Sequence, residues 1–214
     1  ICTDQSGNSY VLPSAKVNLL KNPLEKQNTV YKVDANSGLM SSYVQIPMDI
    51  LPGAFNPFGL LGSFYDCSTS QLIVSTVAGS SENREIGKVC KIDIKTKEIT
   101  TLIDHKDIYG LALHIHQGKR ILYLSSARTS KLYSLELDDR NNPIGTLKEE
   151  FSISGLGPRG DDKIRKIRFT SDGKMQLFTV LFYYNLTSPS EEQQNQMYFV
   201  YNSIKKNWKL SGIE

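Results

Sequence analysis

No apolar run in these 214 residues approaches the roughly 20 needed to cross a bilayer as a helix. Helical periodicity is nearly absent as well, with Leu19 to Lys26 the only marginal candidate. Helix bundles and doubly wound α/β folds are thereby excluded. Cysteine is scarce: Cys2, Cys67 and Cys90 are an odd set, and no pair has the spacing of metal ligands. A disulfide scaffold or zinc ribbon does not fit. A Cys67–Cys90 bond is conceivable, but small apolar thiols are the simpler reading. Charge of one sign is also lacking, because 25 basic residues are interspersed with 22 acidic ones. Lys95-Thr96-Lys97 and Lys205-Lys206 sit in turns, so no basic face for nucleic acid is expected. There is no Gly-x-Ser-x-Gly elbow, phosphate loop or Cys/His metal motif, which leaves most common enzyme classes without support.

What the chain does have is a two-strand phrase written four times. Each copy is an apolar alternating run, a polar turn and a second apolar run that often ends in small hydroxyl residues. The copies are Ile1 to Leu12, Leu61 to Thr76, Leu111 to Ser126 and Ile167 to Val180. Their turns include Asp4-Gln5-Ser6-Gly7-Asn8, Asp66-Cys67-Ser68-Thr69-Ser70, His116-Gln117-Gly118-Lys119 and Ser171-Asp172-Gly173-Lys174. A shorter phrase follows each: Val30 to Asp34, Val89 to Asp93, Leu132 to Glu136 and Met197 to Tyr201. Self-similarity at about 40–60 residues with four strands per unit predicts an all-β fold, a β-propeller of four-stranded blades.

The blades are expected near residues 1–50, 51–107, 108–153 and 154–214. Trp208-Lys209-Leu210 reads as a short outer strand, and Gly59, Gly62, Gly110 and Ala112 as the small residues that crowded inner strands require. No leader of basic then apolar residues opens the chain, which starts in mid-repeat at Ile1 without an initiator Met. Four units could close as a four-bladed ring, but the start in mid-repeat favours four visible blades of a larger ring, six-bladed and N-terminally incomplete here.

The phrase of apolar strand, Asp/Ser-x-Gly turn and Leu-Tyr-Val-Ser-like strand resembles the gluconolactonase and senescence-marker family, and NHL-repeat propellers more broadly. Ile1 to Leu12, Gly110 to Ser126 and Ile167 to Phe178 carry the resemblance. It implies a divalent metal at the top of a central channel, held by acidic and Asn residues before or within the innermost strands and used for lactone hydrolysis. The matching positions here are Tyr109-Gly110, Arg165 and Phe58-Gly59. A hard cation wants oxygen ligands, and neither an aromatic ring nor a guanidinium supplies them as a carboxylate does. The resemblance therefore implies the family's fold with its catalytic ligands replaced. No catalytic residue, metal ligand or cofactor is expected; a divalent cation such as Ca²⁺ and a lactonase-like hydrolase are the alternatives.

Candidate binding residues come from strand ends. The start of each first strand and the end of each second strand emerge on one side of a blade. Tyr109, Arg128, Asp162, Arg165 and Tyr184 occupy such positions and are expected to gather at one mouth of the channel. Tyr and Arg suit a protein partner, a glycan or a small anionic ligand, whereas packing between blades is the alternative use of the Tyr residues. The loop Gly155 to Lys163 crosses the same face, with its charges either free for contacts or paired among themselves. Its Arg159-Gly160-Asp161 tripeptide is too short to credit as an adhesion motif. His114 and His116 share one strand face and read best as a solvated hairpin end. Asn185-Leu186-Thr187 fits a glycosylation acceptor but is frequent by chance. A composition rich in Lys, Asn, Ile and Ser suggests a bacterial cell-envelope protein. The expected role is a non-catalytic, extracytoplasmic binding or assembly module.

Overall fold

A computed structural model describes residues 1–16, 22–186 and 194–214. The helical reading at Leu19 and the acceptor residue Thr187 lie outside them; the described end of the former, Leu24–Lys26, is one turn of 3₁₀ helix.

Four sheets follow one another along the chain, each a meander of four consecutive strands. The first contains β1 (Cys2–Thr3), β2 (Ser9–Val11), β3 (Thr29–Val33) and β4 (Met40–Gln45). The second contains β5 (Leu60–Asp66), β6 (Gln71–Thr76), β7 (Lys88–Asp93) and β8 (Ile99–Asp104). The third contains β9 (Ile108–His116), β10 (Lys119–Ser126), β11 (Lys131–Leu137) and β12 (Lys148–Ser152). The fourth contains β13 (Lys163–Phe169), β14 (Met175–Val180), β15 (Asn195–Asn202) and β16 (Asn207–Ile213). Such repeated meanders are the blades of a propeller. β16 is longer than the three residues expected around Trp208, because β15 continues to pair with it from Asn202 back to Met197.

The chain forms two compact units. One holds Ile1–Ile108 together with Tyr184, the other Tyr109–Phe182 together with β15 and β16. In the first, Tyr10, Val30, Leu60, Leu72, Val74 and Ile92 form the core. In the second, Tyr123, Leu132, Ile164, Leu177, Met197 and Phe199 do so. Second strands are the most deeply buried: in β6, five of six residues are buried, which matches its near-continuous apolar run Leu72 to Val74. Outer strands alternate or stay exposed, as β4 and β8 do.

Two local devices recur. Between the third and fourth strands, one Asp or Asn carboxyl or amide oxygen accepts two backbone N–H bonds. Asp34 accepts from Asn36 and Ser37, Asp93 from Lys95 and Thr96, Asp138 from Arg140 and Asn142, and Asn202 from Ile204 and Lys205. The turn then closes through a left-handed residue: Gly38, Lys97, Asn141 or Lys206. The second device explains the hydroxyl-ended second strands. An inner-strand glycine N–H donates to a serine hydroxyl of the second strand: Gly62 to Ser75 at 3.0 Å, where the pairing shifts register between Leu60 and Ser63, and Gly110 to Ser125 at 2.7 Å.

The small inner-strand residues are required by close approach. A Cβ on Gly59 would lie 2.2 Å from the backbone oxygen of Gln27, and one on Gly110 would lie 3.0 Å from that of Arg165. All three cysteines are free, so Cys67 and Cys90 form no bond.

Candidate functional site

Ser125 organises one end of the second unit. Its hydroxyl accepts from the Gly110 N–H and donates to the Ile164 carbonyl at 2.5 Å. The start of β9, the end of β10 and the start of β13 are thus tied together. Tyr109, Arg128, Asp162 and Arg165 each lie within three residues of one of these tied atoms, at the same end of this unit. Tyr184 belongs to the other unit.

The five differ sharply in what they present. Tyr109 is 6% exposed and its ring packs on Phe182, centroids 4.8 Å apart. Tyr184 is also buried. Its hydroxyl donates to Asp107 Oδ2 at 2.5 Å, and the other Asp107 oxygen accepts from the Ser80 hydroxyl and the Gly87 N–H. Both tyrosines therefore pack inside their units, the use of Tyr weighed against ligand contact. Arg128 is half-buried and Arg165 exposed.

Asp162 is 2% exposed and fully engaged. Oδ1 accepts from Arg159 Nε at 2.5 Å; Oδ2 accepts from Arg159 Nη2 at 2.8 Å, Thr179 Oγ1 at 2.7 Å and Asn195 Nδ2 at 2.8 Å. Burial pushes its carboxyl pKa up, but the donors from Arg159, Thr179 and Asn195 together outweigh that and hold it below the usual carboxylate value. The charges of the Gly155 to Lys163 loop thus pair among themselves at Arg159 and Asp162. Thr179 and Asn195 were missed by sequence reasoning, since nothing in either residue's neighbourhood signals a remote carboxylate.

The strand β13 adds a feature that its sequence held unread. Arg165, Lys166 and Arg168 are all exposed, and the Phe178 ring lies 5.9 Å from Lys166 Nζ and 5.3 Å from Arg168 Cζ. Burial, with Arg168 and Arg165 beside it, holds the Lys166 ammonium below its ordinary pKa. Adjacent residues 165 and 166 are both exposed because the strand pairing shifts register between Ile164 and Lys166. Among the described residues no group of three or more His, Cys, Asp or Glu gathers where it could hold a metal ion.

The histidine pair departs from expectation. His114 stacks on Phe169, centroids 3.9 Å apart with the planes 4° from parallel, and His116 packs edge-on against Tyr201 at 4.2 Å. They belong to an aromatic cluster with Tyr123 and Trp208 rather than to a solvated hairpin end. Burial lowers both imidazole pKa values, so the neutral forms prevail.

No protein-family model matches this sequence, and no curated protein matches it. Solved structures do. The exo-β-1,3-galactanase from Phanerochaete chrysosporium, crystallised with β-1,3-galactotriose, superposes with a TM-score of 0.53 over 99% of this chain at 11% identity. A chain of the nidogen/laminin complex gives 0.52 over 87% at 13% identity, and a glucose dehydrogenase 0.51 over 83% at 15%. The fold is a β-propeller. The chain spans 51%, 59% and 56% of the lengths of those three structures.

Proposed function

We propose that this protein is a non-catalytic, extracytoplasmic propeller that binds a protein or glycan partner through anionic groups. In this reading it is a gluconolactonase-like scaffold whose metal ligands have been replaced. The observation that carries the proposal is β13, where Arg165, Lys166 and Arg168 stand exposed and the last two lie over the Phe178 ring. Guanidinium groups offer forked donors to carboxylate or sulfate, and a ring among cations adds apolar area for a sugar or a side chain. Arg128 at the same end of the unit extends the cationic surface.

The state of Asp162 favours binding over hydrolysis. A carboxylate that serves as general acid needs a raised pKa, and a nucleophile or metal ligand needs a free oxygen. Asp162 is held ionised, and both of its oxygens are occupied by donors from its own unit.

The test is an array of neutral, carboxylated and sulfated glycans, probed with the protein and with the Arg128→Ala/Arg165→Ala variant. Retention on anionic glycans, reduced at least about tenfold in the variant, is expected for loss of two charge-assisted contacts. Calorimetric titration with Ca²⁺ and Zn²⁺ checks the enzyme alternative. Stoichiometric metal binding that Asp162→Asn abolishes would overturn the proposal in favour of a lactonase-like hydrolase.

A further inference from the structure

The aromatic cluster around His116 opens onto a cavity of about 370 Å³ within the second unit, within the size range of small-molecule sites. It lies at the β9–β10 hairpin, at the other end of β9 from Tyr109, and none of Arg165, Lys166, Arg168 or Phe178 lines it.

Three properties of the lining specify a ligand. First, its walls carry Tyr201 and Trp208, whose rings are 5.3 Å apart at 67°, with Ile121 and Ile144 beside them. Such walls suit a flat or pyranose ring. Second, the charges do not cancel. Lys119 pairs with Glu136 at 2.8 Å and Lys148 with Glu150 at 3.1 Å, and Glu150 also accepts from the Ser134 hydroxyl. Lys206 is the lining cation without a carboxylate partner among the described residues. Its backbone is held in the left-handed region (φ 50°) by the Asn202 turn, where glycine or asparagine would be easier. Third, His116 Nε2 is buried and has no hydrogen-bond partner among the described residues, an unmet need for one donor or acceptor.

We propose that this cavity binds a small ring-bearing carboxylate with a hydroxyl group: the ring against Trp208 and Tyr201, the carboxylate on Lys206, the hydroxyl on His116 Nε2. A hydroxylated aromatic acid and a sugar acid share that chemistry. The single tryptophan of the chain lines the site, so its fluorescence reports occupancy directly.

The experiment titrates the 214-residue protein separately with 4-hydroxybenzoate and D-glucuronate, following Trp208 emission and the His116 imidazole resonances by NMR. Saturable changes with at least one probe are expected, and the responding probe identifies the source as aromatic or sugar. Lys206→Gln changes an exposed turn residue and leaves the core intact. It should weaken binding about tenfold, the loss of one charge-assisted contact, and the neutral analogues benzyl alcohol and glucose should bind weaker by at least a similar factor. His116→Gln should also weaken the responding probe. The proposal is overturned if neither probe gives a saturable change up to about 10 mM, beyond the weak end of specific binding. Affinity equal to that of the neutral analogue, or unchanged by Lys206→Gln, overturns it too.

Discussion

Arg159 meets Asp162 with two nitrogens, Nε on Oδ1 at 2.5 Å and Nη2 on Oδ2 at 2.8 Å, three residues apart in sequence. The pair closes the loop that leads into β13. With Thr179 and Asn195 also donating to Asp162, it fastens that loop to β14 and β15. Asp162→Asn removes the charge while keeping the shape, and leaves Arg159 facing a neutral amide. A loss of about 2–3 kcal/mol of unfolding free energy is expected, as for breaking a buried pair on one side. Urea denaturation at neutral pH measures it.

The same carboxylate sets a pH dependence. Its folded-state pKa is depressed, so it contributes stability that is fully present above the ordinary carboxylate value. That contribution fades as pH falls from that value through the lower folded one. Wild-type protein should therefore lose stability more steeply in acid than Asp162→Asn. Parallel pH profiles of the two proteins would contradict the assignment.

Gly59 tolerates no side chain. A Cβ there would lie 2.2 Å from the Gln27 carbonyl oxygen, a backbone atom tied into the Leu60 N–H bond. Gly59→Ala should cost about 3 kcal/mol or prevent folding. Gly53→Ala, with open space around the added carbon, is the control and should be neutral or stabilising by up to about 1 kcal/mol.

Tyr184→Phe deletes the 2.5 Å bond to Asp107 and leaves that buried carboxylate, which also accepts from Ser80 and Gly87, with one donor fewer. The expected loss is about 2 kcal/mol, typical of a hydrogen bond to a charged group. Thermal unfolding reads it.

The β9–β10 turn has Gln117 at φ 51° and Gly118 at φ 79°, both left-handed. Asn at the first position suits that geometry better, so Gln117→Asn should stabilise by about 0.5 kcal/mol. An unchanged or lowered unfolding midpoint would count against the turn assignment.

Thiol labelling checks burial. Cys67 is exposed and should react first with a thiol reagent in the native protein. Cys90 is buried and burial pushes its thiol pKa up, so it should label only on unfolding.

The strands apart from β12, their grouping into four repeated units and the turn positions were legible in the sequence. Each depends on residues close together along the chain: alternation over a few positions, an Asp or Asn accepting from the next two or three N–H groups, and a glycine where a Cβ has no room. Pairs such as Gly110 and Ser125 were half legible, as a glycine and a hydroxyl at matching ends of successive strands. What each charged and aromatic side chain meets was decided by the tertiary structure alone. Asp162 is silenced by Thr179 and Asn195, which reach it only because β14 and β15 pair in one register. Arg165 and Lys166 are both exposed because the pairing slips between Ile164 and Lys166, against strict alternation. His116 is packed on Tyr201 and Trp208 because the third and fourth sheets lie face to face within one unit. Sequence periodicity says which way a side chain points from its own strand. It carries no information about which neighbour waits there, since that is set by register and by packing between sheets.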